Sequence, residues 1–498
     1  MGVDDASQDN KTGDDDKGAT ARQTQPPSDG LGAGWAFWRR RRRLLSLLAF
    51  LGFFNVYSLR VNLSVAIVAM TAERNVTLAN GTLSTSREFE WSPGTQGLVL
   101  GAFFWGYVVT QIPGGWLAAR VGGARLYGAG IAATAALTLL TPPLARLSVY
   151  LLLALRIIEG LLEGVTHPAI NHVWSRWAPP HERSRLATFA LSGSYFGTFV
   201  SLPVSGVIAS NLGWEAVFYI CGAIAVLWYV VWFMCIAEDP LEDKRITSQE
   251  LEFIQSCLGE DRKTENVHIP WLKFLTSPPV WAVLFAHFTE NWGFYTLLTQ
   301  LPTYMKDVHH FSLEESGGLS AVPYIIMAAL LQFSGHLADL LQNRNILSHT
   351  QVRKIFICGA FVIETVAMVL ASYASSISAI MACLTISVAV GAFSWAGICV
   401  NHLDMAPQYA GVLMGLSQTV ATIPGMVSPP LTGFIVKNKD PEEWRTVFFI
   451  TSGVYLLGTL VYGVFGSAER QSWARGAAKK EEMAFDNKAI ETETTSSL

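Results

Sequence analysis

An all-α membrane protein, with twelve transmembrane helices in two six-helix lobes, is the fold class that the sequence predicts, and three observations predict it. Of the 498 residues 51% are hydrophobic and only 15% are charged, with a mean hydropathy of +0.32, too apolar a balance for an ordinary soluble enzyme. The apolar residues come in blocks of about twenty, the length that crosses a hydrocarbon core of about 30 Å. The blocks are ordered as six, a polar stretch, and six more.

Residues 1–34 are acidic, Gly-rich and polar, with Asp14, Asp15 and Asp16 in a row, and the segment 1–43 reads as a disordered cytosolic N-terminus. Five arginines, Arg39 to Arg43, abut the apolar run that begins at Leu44. That run is too long for a signal-peptide core and has no clear cleavage site, so it reads as a retained first span. An N-terminal lobe over 44–237 holds apolar blocks near 44–70, 96–118, 126–143, 150–172, 187–208 and 216–236. Residues 238–278 are charged and poor in aromatics, and read as a solvated cytosolic linker. A C-terminal lobe over 279–466 holds blocks near 279–302, 316–338, 355–375, 377–400, 411–435 and 444–466, followed by a cytosolic tail over 467–498.

Orientation follows from the excess of Lys and Arg on cytosolic segments. With the N-terminus inside, the inner segments collect Arg39–Arg43, Arg120, Arg125, Arg176, Arg183, Arg185, Lys244, Arg245, Arg344, Arg353 and Lys354, and the outer ones only a scatter. Both termini are therefore expected in the cytosol. The first outer loop carries Asn75-Val-Thr and Asn80-Gly-Thr, acceptors for N-glycosylation.

The halves repeat each other. Gly115-Trp-Leu-Ala-Ala-Arg answers to Gly335-His-Leu-Ala-Asp-Leu, and Gly213-Trp-Glu-Ala-Val-Phe-Tyr to Glu443-Trp-Arg-Thr-Val-Phe-Phe. Parallel repeats of six spans mark two-lobed transporters with a midplane site between the lobes. Other classes lack their signatures. There is no phosphate-binding loop for ATP, no nucleophile elbow and no metal motif, so neither enzyme, cofactor nor metal is expected. A net charge of −4 gives no reason to expect nucleic acid. The six cysteines show no paired framework. A receptor or scaffold is the non-transport alternative, and it would not need charges inside the spans.

Arg60 is the sharpest of those charges. It lies about two-thirds along the first span, where an arginine costs about 2.5–3.5 kcal/mol on insertion scales. A guanidinium there suits a two-pronged grip on a substrate carboxylate; the alternative is snorkelling to the nearer interface. Arg156, Glu159 and Glu163, spaced by three and seven, share one face of the fourth span, with His167 continuing the stripe. An arginine flanked by acids suits proton coupling, or a static bridge. Glu290 and Asn291, with His287, form a second polar patch in the seventh span, and Glu364 in the ninth reads as packing.

Several segments resemble the major facilitator superfamily. Gly114-Gly-Trp-Leu-Ala-Ala-Arg-Val-Gly-Gly is similar to its loop signature, with Ala119 in place of the usual acid, which Asp339 keeps in the second half. Tyr57-Ser-Leu-Arg-Val-Asn-Leu-Ser-Val-Ala, Phe103-Phe-Trp-Gly-Tyr-Val-Val-Thr-Gln-Ile-Pro-Gly-Gly, Trp177-Ala-Pro-Pro-His-Glu-Arg-Ser and Asn401-His-Leu-Asp-Met-Ala-Pro resemble the sialin branch of the anion-transporting solute carriers. That group also holds vesicular glutamate transporters and phosphate cotransporters. Glu159 leans toward sialin, whereas Asn171 stands where sialin-like chains have histidine.

The resemblance implies a secondary transporter of a small organic anion (sialic acid, an acidic amino acid or an acidic sugar), coupled to protons, with sodium-dependent phosphate transport or vesicular glutamate or aspartate transport as the alternative. It implies a cavity lined by Tyr57, Phe104, Tyr107, Tyr195 and Tyr295 beside Arg60 and Asn291. Proton coupling falls to Arg156, Glu159, Glu163 and Glu290, and an inner gate to Arg120, Glu182, Arg183 and Asp339. A lysosomal or vesicle membrane is expected, with the plasma membrane as alternative, where the terminal Ser496-Ser-Leu498 would be a weak ligand for a PDZ domain.

Overall fold

The computed structural model describes residues 40–77, 83–258, 270–344, 346–406 and 409–474. The N-terminal lobe is built from α1 (Arg41–Met70), α2 (Pro93–Val121), α3 (Gly123–Leu147), α4 (Val149–Glu163), α5 (Thr166–Trp177), α6 (Pro180–Leu212) and α7 (Trp214–Cys235). Two short helices, α8 (Ser248–Leu258) and α9 (Trp271–Thr276), lie between the lobes in sequence. The C-terminal lobe holds α10 (Pro278–His309), α11 (Leu313–Asn343), α12 (His349–Tyr373), α13 (Ile377–Met405), α14 (Ala410–Ile435) and α15 (Pro441–Phe465). A two-stranded antiparallel hairpin, β1 (Glu73–Thr77) and β2 (Leu83–Arg87), follows α1 in the first loop. Asn75 sits in β1; Asn80 lies outside the described residues.

Ten of these helices are long and apolar enough to cross a membrane. The other two spans depart from that pattern for separate reasons. The fourth is broken at Gly164–Val165 into α4 and α5, each too short alone. The seventh, α10, carries Thr289-Glu290-Asn291 at its centre, and nearly all of its side chains between Val280 and Met305 are buried against other helices. A helix that touches little lipid has no need of an apolar surface.

The described parts of the N-terminal segment, linker and tail pack on the lobes, unlike solvated chain. The first span begins at Arg41, three residues before the apolar run. Arg41 Nε meets Asp243 Oδ2 at 2.6 Å, and its backbone N–H donates to Glu250 of α8 at 2.9 Å. Arg42 pairs with Glu182 at 3.0 Å and lies over the Phe253 ring. Glu238 caps α3, accepting from the N–H groups of Gly123, Ala124 and Arg125 at 2.6, 3.0 and 3.2 Å, where a helix N-terminus favours negative charge. At the end of the described chain Trp473 and Ala474 pack on Phe274 and Tyr409.

The lobes close on the hairpin face and part on the face that carries α8. A Cβ added to Gly97 of α2 would collide with the Pro429 carbonyl of α14, and one added to Gly433 would collide with that of Pro93. Between α6 and α11 a Cβ on Gly317 would lie 2.6 Å from the Leu202 carbonyl oxygen. Further in, Trp105 Nε1 donates to the Met426 carbonyl at 3.3 Å and Gln111 to Thr422 at 3.0 Å. Beyond that depth, among the described residues, no hydrogen bond or glycine contact joins the lobes. A Cβ added to Gly335, Gly411 or Gly415 would meet no atom within 4 Å, and Ile112 and Trp116 of α2 are exposed.

Candidate functional site

Arg60 is buried, 6% exposed, on the α1 side of the lobe boundary. Its Nε and one terminal nitrogen both donate to Glu163 Oε1, at 3.1 and 2.5 Å, and Glu163 Oε2 meets no donor among the described residues. The guanidinium stands over four rings, with centroids of Tyr57 and Tyr107 at 4.7 Å, Phe103 at 5.0 Å and Phe104 at 5.9 Å. An aromatic surround of this kind holds a cation without neutralising it. The box reaches the other lobe through Phe104, whose ring packs on Tyr295 of α10 at 4.6 Å and against Gly425 of α14. Tyr195 of α6 is half-buried and packs on the core of the C-terminal lobe.

One helical turn away, Arg156 donates to Glu159 Oε2 at 2.6 Å, and Thr138 donates to Glu159 Oε1 at 3.1 Å. Arg156 also lies over the Phe103 ring at 5.2 Å. The stripe on α4 is thus divided: Arg156 holds Glu159, while Glu163 reaches across to Arg60. Sequence spacing puts both acids within range of Arg156 and gives no sign of the α1 partner. Phe103, which bridges the two arginines, belongs to the motif that marks α2 but was not among the expected ligands. The stripe is held close by a glycine contact, since a Cβ on Gly106 would collide with the Ile157 carbonyl and one on Gly160 with that of Phe103. His167 packs on Phe53 with the rings tilted, at 5.0 Å, and takes no part in these ion pairs.

In the C-terminal lobe Glu290 and Asn291 are both buried on α10. Ser394 of α13 donates to Glu290 Oε2. His287 bonds to Ser417 of α14 at 2.8 Å and packs edge-on against the Trp395 ring of α13 at 5.0 Å. Of the expected gate residues, Arg120 is exposed over the Trp116 ring at 4.1 Å, and Glu182 pairs with Arg42 inside its own lobe. The side chains of Arg183, Asp339 and Asn75 lie outside the described part of the structure, as does the segment ending in Leu498. All six cysteines are free.

Two pseudo-equivalent helical lobes, closed at one face around a buried arginine–carboxylate site, define a two-lobed membrane transporter. The Major Facilitator Superfamily profile matches residues 45–428. The chain is 40% identical over 446 residues to vesicular glutamate transporter 2 of Homo sapiens, covering 89% of this chain and 77% of that one. It is equally similar to vesicular glutamate transporter 1 of Bos taurus, over 89% of this chain and 80% of that one. In fold it is similar to an inward-facing bacterial homologue of the lysosomal transporter Spinster, with a TM-score of 0.68 at 15% identity over 87% of this chain and 99% of that one. It is also similar to a D-xylose–proton symporter, with a TM-score of 0.64 at 16% identity over 86% of this chain and 99% of that one. The chain belongs to the major facilitator superfamily, in the group of anion-transporting solute carriers that contains the vesicular glutamate transporters, and it is a carrier, not an enzyme.

Proposed function

We propose that this carrier moves a small carboxylate-bearing organic anion across a vesicle membrane by alternating access, coupled to protons, with Arg60 as the substrate's anchor and Glu163 as the proton acceptor that competes for it. The observation that carries this reading is the Arg60–Glu163 pair. A guanidinium with two nitrogens aimed at one carboxylate is the arrangement that a substrate carboxylate would also take. While Glu163 is ionised it occupies the fork. Protonating Glu163 removes its charge, frees both nitrogens, and lets an incoming carboxylate replace it. Proton and anion binding then favour each other, as linkage requires of a coupled carrier. The names of the relatives support glutamate as the first anion to test, with sialic acid and inorganic phosphate beside it.

The positive-inside pattern puts the α8 face in the cytosol, so the closed hairpin face is external or lumenal and the state described is inward-facing. The inner gate expected of Arg120, Arg183 and Asp339 would form as that inner face closes.

Uptake into proteoliposomes with an imposed pH gradient tests the reading. Labelled glutamate, sialic acid and phosphate are compared for wild type and Glu163→Gln. The expected result is accumulation of one carboxylate anion that follows the proton gradient in wild type, and binding without gradient-driven accumulation in the variant. Full gradient-driven uptake by the variant would sink the competition between Glu163 and the anion.

A further inference from the structure

We propose that Glu290 and Glu364 hold one proton between them and form a second ion site, in the C-terminal lobe, separate from the Arg60–Glu163 pair. Glu290 projects from α10 and Glu364 from α12, and both are buried, at 3% and 0% exposure. Their carboxyl groups meet beside Gly391 of α13: a Cβ built there would collide with Glu290 Oε1 and lie 3.0 Å from Glu364 Oε1. Only the missing side chain at residue 391 leaves room for the two acids to face each other.

The surroundings make the pair unlike the N-terminal one. Ser394 donates to Glu290 Oε2, but among the described residues no donor reaches either oxygen of Glu364. Among the described residues, no arginine, lysine or histidine acts on either carboxyl. The titratable groups that face the pair from the packed helices are phenols: Tyr455 of α15, and Tyr195 of α6 toward Glu290, with Tyr324 of α11 behind Tyr455. An ionised carboxylate buried without a cation or donors is costly, and two in contact cannot both be ionised. A single proton held between them removes one charge and gives Glu364 the hydrogen bond that it otherwise lacks. A metal cation is the weaker occupant, since no third carboxylate, histidine or thiol among the described residues completes a ligand set.

The site's position gives the proton a use. Glu290 sits on the helix that also carries Tyr295, which packs on the aromatic box around Arg60. Loss of the shared proton would leave two like charges facing each other between α10 and α12, beside Gly391 of α13, and push those side chains apart, which is a second means for protons to bias the lobes. That use rests on the carrier reading; the proton itself does not.

The test is infrared difference spectroscopy of the full chain in lipid during a titration from acid to alkaline pH, on wild type, Glu364→Gln and Glu290→Gln, with circular dichroism to show that each is folded. In wild type a carboxylic-acid carbonyl band is expected that vanishes at alkaline pH with release of one proton per chain, and both variants should lack that step. Should either glutamine form fail to fold, Glu364→Asp is expected to shift the band instead of removing it. A wild-type band untouched by all these substitutions overturns the proposal. So does loss of the band at fixed acidic pH on adding sodium, which would assign the site to a metal cation. Anion uptake measured in parallel separates this from the carrier reading: the band step present with no anion transported defeats the carrier reading alone, and uptake without the band step defeats the pair alone.

Discussion

Arg60 carries its charge where the chain crosses the membrane, and its neighbours fix what a substitution there would do. Lysine keeps the charge but loses the planar fork that places two nitrogens on Glu163 Oε1. Arg60→Lys is therefore expected to transport almost as poorly as Arg60→Ala, in uptake assays matched for the amount of protein in the membrane. Near-normal transport by the lysine form would leave Arg60 only a field effect. Removing the arginine also strands Glu163, and breaking one half of a buried pair costs about 3–5 kcal/mol. Arg60→Ala should therefore melt well below Arg60→Ala/Glu163→Gln, a comparison that thermal unfolding in detergent makes directly. Arg60, Glu163, Arg156 and Glu159 were all legible in the sequence as charges inside apolar blocks. Their pairing was not, because Arg60 and Glu163 lie on different helices and spacing along one helix says nothing about the facing one. Glu364 read as packing for the same reason, since its partner Glu290 is on α10.

At the scale of the element, small residues and caps decide how closely the helices approach. Gly106 and Gly160 let α2 and α4 cross with backbone against side-chain-free backbone, which sets the distance from the α4 charges to Phe103. Gly160→Val adds bulk where none fits, and overpacking of this kind costs about 1–3 kcal/mol. The expected outcome is a lower melting temperature together with weakened anion binding, because Glu159 and Glu163 move with the helix. A lower melting temperature with unchanged binding would show that the crossing does not position the site. Glu238 poses a cleaner question at the start of α3. It accepts three backbone N–H bonds and belongs to neither the Arg60–Glu163 nor the Arg156–Glu159 pair. Glu238→Ala is expected to cost about 1–2 kcal/mol, within the range for losing an N-terminal cap, with transport per folded molecule unchanged. The break at Gly164–Val165 and the ordering of α8 against Arg41 belong to this scale as well. Neither shows in hydropathy, which measures composition and is blind to a kink or to a polar helix docked on an arginine.

For the whole molecule, the state described is set by one closed face. The Gly97–Pro429 and Gly433–Pro93 approaches seal the hairpin face, and at the opposite ends of the same helices no such approach joins the lobes among the described residues. A carrier that alternates must break this seal, and a side chain in it shifts the balance toward the other state by whatever it destabilises here. Gly97→Val is therefore expected to populate a form open at the hairpin face. Spin labels at Ser92 and Asn438, exposed on opposite lobes of that face, should show a longer distance in the variant; an unchanged distance would mean that the seal is not what holds the lobes.

The sequence by itself determined the membrane class, the two sets of six spans and the inventory of buried charges, because each follows from the cost of placing polar groups in hydrocarbon and is written residue by residue. Its repeat also determined that the halves would be equivalent. Tertiary structure alone decided that Glu163 answers Arg60, that Glu364 answers Glu290, and which face of the carrier is closed. Those depend on which helices touch and how nearly, a matter of packing between residues up to several hundred positions apart, on which local pattern carries no information.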